Sequence, residues 1–118
     1  MYERPYEKLV VWQESYALHL WIYSLTTKFP MEEKFSLVKQ MRRSAYSVPM
    51  NIAEGNARRS AKDKAHFLEN AISSLEELHY QATLAHALGY ISTLELESAD
   101  DRVQRTGYLL MKLRSSIL

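Results

Sequence analysis

No cysteine occurs in the 118 residues, which excludes a disulfide scaffold, a thiolate metal site and a cysteine nucleophile. Glycine is scarce: Gly55, Gly89 and Gly107 are the three present. Three are too few for a fold rich in tight β-turns, and they lie too far apart to form a phosphate-cradling loop. The net charge is only +1, so gross electrostatics announces neither a nucleic-acid binder nor a membrane-surface binder. No apolar run approaches the roughly 18 residues of a membrane span, and the acidic, aromatic N-terminal stretch does not read as a signal peptide. What is present is a chain 47% hydrophobic and 25% charged, of a length that fits one domain over 1–118. The expectation is a soluble, cytoplasmic, all-α domain.

The few breakers divide the chain into four helical segments, expected at about 7–28, 31–57, 61–88 and 93–117. In the first, Leu9, Trp12, Tyr16, Leu20, Tyr23 and Thr27 recur at three- and four-residue steps and share a face. Phe29-Pro30 closes it. The second carries Glu32 and Glu33 in its first turn, where the helix dipole favours acids, and an apolar line of Val38, Met41, Ala45, Val48 and Ile52. Pro49 lies inside that line and is expected to kink the helix without ending it, because the pattern resumes at Ile52; the alternative is two shorter helices. Ser60 and Asp63 read as a capping box, and the third segment then keeps one stripe from Leu68 to Leu88. Gly89 is a natural residue to follow a helix end. Ser92 and Glu95 form a second capping box, and the fourth segment runs from acids to bases along its length. Short joints make sequential helices antiparallel neighbours, so the expected architecture is an up-down-up-down four-helix bundle.

The first helix has two apolar faces. Opposite the Trp12 stripe lie Val11, Leu18, Ile22 and Leu25. The outer face of a monomeric bundle helix is normally polar. With the Trp12 stripe taken as the core side, these four form an apolar patch that calls for a partner, and a symmetric homo-oligomer is the commonest cover.

The near-neutral total conceals an uneven distribution. Residues 39–62 carry Lys39, Arg42, Arg43, Arg58, Arg59 and Lys62 against Glu54, a net +5, which leaves −4 for the rest of the chain. Lys39, Arg42, Arg58, Arg59 and Lys62 are therefore candidate contacts to phosphates, or to an acidic protein surface, against the ordinary alternative of a solvated face. Arg43 is treated separately. A hairpin turning near 58–60 brings it level with Leu75 and Glu76, so a partly buried pair with Glu76 or Glu77 is expected, serving helix register. Asn51, Glu54 and Arg58 read as local helix-end bonds and an i,i+4 pair.

Catalytic and metal readings are weak. Glu76-x-x-His79 has the spacing of one half of a di-iron bundle site, but Asp63-x-x-His66 lies more than three turns away on the same helix and cannot complete it. No serine sits in a Gly-x-Ser-x-Gly elbow. Trp12, Trp21 and the tyrosines fall at helical spacing and read as core and interface anchors more than as base-stacking platforms. Neither metal nor cofactor is expected.

Several stretches carry a family resemblance in order along the chain. They are Leu9-Val10-Val11-Trp12-Gln13, Phe29-Pro30-Met31-Glu32-Glu33, Gln40-Met41-Arg42-Arg43-Ser44-Ala45, Ser47-Val48-Pro49-Met50-Asn51-Ile52-Ala53-Glu54-Gly55 and Glu76-Glu77-Leu78. The chain resembles the four-helix-bundle proteins encoded in 23S rRNA intervening sequences. That family is similar in fold to the accessory variability determinant proteins of diversity-generating retroelements, which form homopentameric barrels and bind a reverse transcriptase and nucleic acid. The resemblance implies a bundle that assembles into a homo-oligomeric ring, a pentamer, without enzymatic activity. Retroelement accessory proteins tend to be strongly basic, whereas this chain is +1, so a localised patch is the only route to RNA or DNA. The expected function is an oligomeric adaptor for RNA or DNA, with a reverse transcriptase or an rRNA-associated partner. The alternative is a protein–protein scaffold without nucleic acid.

Overall fold

Proline and glycine place the joints. In the computed structural model, which describes residues 1–117, Pro5 opens a 3-10 turn, Pro5–Lys8. Leu9 then runs extended (φ −74°, ψ 128°), so helix α1 spans Val10–Thr26 and does not begin near residue 7. The segment expected as one helix over 31–57 divides in two. Met31–Glu33 form another 3-10 turn, Ser36 takes a non-helical backbone (φ −122°, ψ −102°), and α2 spans Leu37–Asn56. Pro49 sits buried inside α2, which continues past it to Asn56. Helix α3 spans Ala61–Ala87 and α4 spans Thr93–Ile117. Among the described residues there is no strand. The chain is all-α with four helices, consistent with a four-helix bundle.

Local chemistry explains the ends. Ser60 Oγ accepts from the Asp63 N–H at 3.1 Å and caps α3. At its other end Gly89 adopts φ +80°, its N–H reaches the His86 carbonyl at 3.0 Å, and the Tyr90 N–H reaches the Ala85 carbonyl at 2.9 Å. This is a Schellman stop, which needs the left-handed conformation that glycine takes without a Cβ clash. The α4 capping box is reciprocal: the Ser92 N–H donates to Glu95 Oε1 at 2.8 Å and the Glu95 N–H to Ser92 Oγ at 3.1 Å. Lys28 pairs with the same Glu95, tying the end of α1 to the start of α4. Tyr90 Oη donates to Glu33 Oε2 at 2.8 Å and joins the two loops at that end. The Glu33 carboxylate accepting this proton holds the Tyr90 hydroxyl above its ordinary pKa of 10.0.

Cross-helix pairs show neighbouring helices running antiparallel. Arg42 of α2 reaches Thr26 of α1, and Ser47 Oγ meets Ser74 Oγ of α3 at 2.8 Å. His79 of α3 meets Asp100 of α4, and Arg105 of α4 pairs with Glu14 of α1. The molecule measures 43 × 30 × 21 Å, and the 27 residues of α3 span about 40 Å.

The core corrects the reading of α1. Val11, Leu18, Ile22 and Leu25 are not a surface patch: all four are buried, Ile22 completely (0% exposed). They pack in one cluster with Met41, Val48, Leu78 and Leu110. Trp12 is half-buried, and Tyr16, Leu20 and Tyr23 are exposed. The inner face is aliphatic, and its two polar residues satisfy themselves. Ser15 Oγ donates to the Trp12 carbonyl and Thr26 Oγ1 to the Ile22 carbonyl, each at 2.8 Å. Burying Tyr16 and Tyr23 instead would have required partners for two phenolic hydroxyls.

Candidate nucleic-acid interface

The basic segment between residues 39 and 62 is cut in two by the length of α2. Lys39 and Arg42 lie near its start, while Arg58, Arg59 and Lys62 lie at the exposed turn into α3. The separation is roughly 20 Å or more at 1.5 Å per residue. The structure therefore does not bring the five cations into one patch.

The first group lines a groove of about 530 Å3 between α1 and α2. Lys39 with Arg43, and Val38 with Arg42 and Tyr46, face it from α2, and Phe35 faces it from the turn before the helix. Lys34 and Tyr23 complete the wall. Four cations and three rings thus line it, and among the described residues no acid does.

Arg42 is fixed in this wall. Its Nε donates to Thr26 Oγ1 at 2.9 Å, a terminal nitrogen donates to the Tyr23 carbonyl at 3.2 Å, and its guanidinium stacks 4.7 Å from the Tyr23 ring centroid. Lys39 and Arg43 are exposed. Phe35 is 82% exposed, with the Lys34 ammonium 5.5 Å from its centroid.

Along α1 the rings continue as a ridge. Trp12 stacks on Tyr16 at 4.9 Å, and His19 lies edge-on to Tyr23 at 5.1 Å and near Tyr46 at 6.4 Å. Burial lowers the His19 pKa below its ordinary 6.5, so near neutral pH its ring is uncharged and belongs to the ridge as a neutral aromatic. Of the expected core and interface anchors, Trp12 and Trp21 pack half-buried against the core, whereas Tyr16 and Tyr23 are exposed.

The expected Arg43 pair with Glu76 or Glu77 does not form. Among the described residues Arg43 has no ion pair, because it faces the α1/α2 groove. Glu76 instead faces the α3/α4 groove beside His79, and Glu77 the α2/α3 groove beside Gln40. Arg58 does not pair with Glu54 either; its guanidinium stacks 4.5 Å from the Phe67 centroid. Asn51 is buried, and its Nδ2 donates to the Ser47 carbonyl at 2.8 Å and Ser47 Oγ at 3.0 Å. Ser47 carries the link to Ser74, so Asn51 serves the α2/α3 contact. Gly55 serves it too: a Cβ there would stand 3.0 Å from Phe67 Cβ. Within residues 51–55, Glu54 is the exposed residue.

His79 Nε2 lies 3.0 Å from Asp100 Oδ1, and His86 Nε2 lies 3.2 Å from Thr93 Oγ1. Among the described residues no group of three or more His, Asp or Glu is placed to hold a metal ion. None of the described helices is long and apolar enough to cross a membrane.

Sequence reasoning missed Lys34, Tyr23, Phe35 and Tyr46. The signal was the interleaving of rings and cations at four-residue steps from 35 to 46, which a charge tally beginning at residue 39 cut short.

A family model described as 23S rRNA-intervening sequence protein matches residues 7–112. The fold is similar to a crystal structure at 1.70 Å of a protein of unknown function from the S23 ribosomal protein family of Bacteroides thetaiotaomicron VPI-5482. That protein is 27% identical, the match covers 90% of this chain and 96% of that one, and the TM-score is 0.83. No curated protein sequence matches.

Proposed function

The chain belongs to the 23S rRNA-intervening sequence protein family, and from that premise we propose that it is a non-enzymatic, oligomeric adaptor that binds RNA in the cytoplasm. The observation that carries this reading is the α1/α2 groove, where Lys34, Lys39, Arg42 and Arg43 converge without an opposing acid among the described residues. A local cluster of that kind attracts phosphates even in a chain of net charge +1. Arg58, Arg59 and Lys62 form a second basic site at the far end of α2, suited to a longer strand or to a second molecule. DNA offers the same phosphate chemistry. A reverse transcriptase or an rRNA-associated protein is the partner class that the retroelement likeness suggests.

The oligomer in this proposal is a ring of five, and its contact surface is the outer face of α1. Trp12, Tyr16 and Leu20 expose apolar area there, whereas Tyr23 belongs to the groove wall. The same face supports the second reading, a protein–protein scaffold without nucleic acid.

Titration with RNA at several salt concentrations tests the proposal. Phosphate contacts give log K falling with log salt at about −0.7 to −0.9 per contact. Lys39→Glu with Arg43→Glu is expected to flatten the slope by about two contacts. Absent or salt-independent binding favours the scaffold.

A further inference from the structure

We propose that the α1/α2 groove seats an unpaired base of a single RNA strand, stacked on Phe35, with the adjacent phosphates on Lys39 and Arg43. This rests on the RNA-binding reading above and narrows it from phosphate attraction to recognition of single-stranded RNA.

Phe35 is the leading observation. Phe35 is 82% exposed, whereas the apolar residues that come after it in the chain, Leu37, Val38 and Met41, are all buried. The fold therefore had core positions at hand and left this ring outside them. It stands at the mouth of a groove where every charged lining group is a cation. Rings interleaved with cations are what a single strand requires, because each base offers a π-face and each nucleotide a phosphate.

Arg42 supplies a fixed wall. Two hydrogen bonds and its stack on Tyr23 hold the guanidinium before any ligand arrives, so ordering it costs nothing on binding. The groove, about 530 Å3, lies within the range of small-ligand sites and has room for a base. A duplex keeps its bases stacked on one another and presents only edges and backbone, so it could use the cations but not the rings. A peptide of acids alone, such as polyglutamate, would likewise leave Phe35 unused.

Short oligouridylate, an abasic ribose-phosphate strand of equal length, and polyglutamate separate these occupants by fluorescence anisotropy. Oligouridylate is expected to bind more tightly than the abasic strand by about five- to 150-fold per stacked base. Phe35→Ala should lose a similar factor for oligouridylate and leave the abasic strand unaffected, and Phe35→Trp should restore tight binding. The exposed position lets both variants fold, which thermal melts will verify. Equal affinity for the two strands, with Phe35→Ala silent, overturns base stacking while the RNA-binding adaptor still stands. Binding of neither strand overturns both, and binding of polyglutamate alone assigns the groove to an acidic protein partner.

Discussion

Replacing Gly55 with alanine tests how closely α2 and α3 approach. The new Cβ would stand 3.0 Å from Phe67 Cβ and 3.4 Å from the Lys64 carbonyl oxygen. Carbon atoms rest at about 3.5–4.0 Å, and neither of these atoms is the free end of a flexible side chain, so one helix must shift. Alanine gains up to about 1 kcal/mol over glycine in a helix. Forcing a methyl group into a packed contact costs about 1–3 kcal/mol. With the helical gain taken in full, the balance runs from about zero to a loss of about 2 kcal/mol. Gly107→Ala is the matched control, since its Cβ would meet only Leu75 Cδ2, at 3.4 Å. That atom ends a rotatable chain, so the helical gain survives, up to about 1 kcal/mol. At this chain length 1 kcal/mol moves Tm by roughly 4 °C. Melts followed by circular dichroism at one protein concentration should therefore place Gly107→Ala above the parent and Gly55→Ala at or below it. A Gly55→Ala protein melting above the parent would refute the close approach.

Three further outcomes follow from the fold. Measured on protein diluted to the monomer, Ile22→Ala should cost about 2–5 kcal/mol in urea denaturation, whereas Leu20→Ala on the outer face of the same helix should stay within about 0.5 kcal/mol; equal losses in the monomer would return α1 to the orientation first expected. Gly89→Ala should cost about 1–2 kcal/mol by forcing a Cβ into the left-handed region, and an unchanged midpoint would contradict the Schellman stop. Lys28 and the Ser92 N–H hold the Glu95 carboxyl below its ordinary 4.5. A depressed acid contributes stability that is full above the unfolded pKa and is lost as pH falls through the folded one. Denaturation midpoints measured from about pH 6 down to pH 3 should therefore fall less steeply in Glu95→Gln; an unchanged profile would remove Glu95 from the account.

Much of the fold was legible because periodicity and punctuation agreed. The α2 line Val38, Met41, Ala45, Val48 and Ile52 is entirely buried. Gly89 and Ser92 close α3 and open α4 as their residue types suggest. The faces of α1 were not legible, because both stripes repeat at the helical period and only their chemistry differs. The aliphatic stripe with Ser15 and Thr26 can be buried without unpaired hydroxyls, and the tyrosine stripe cannot. Register hid the fate of Arg43. The antiparallel level rule puts it beside α3, but the rotation of α2 aims it at α1. The groove was half legible: its cations stand out in a charge tally, while Phe35 and Tyr46 look like ordinary helix residues until the fold leaves them exposed.

Photocrosslinking of a 4-thiouridine-containing RNA strand, with the adduct mapped by mass spectrometry, tests most directly whether the α1/α2 groove holds RNA. The account predicts adducts on peptides carrying Tyr23, Phe35 or Tyr46, suppressed when Lys39 and Arg43 are reversed to glutamate. Adducts confined to the Arg58–Lys62 turn, or none on the peptides of the groove, would contradict it.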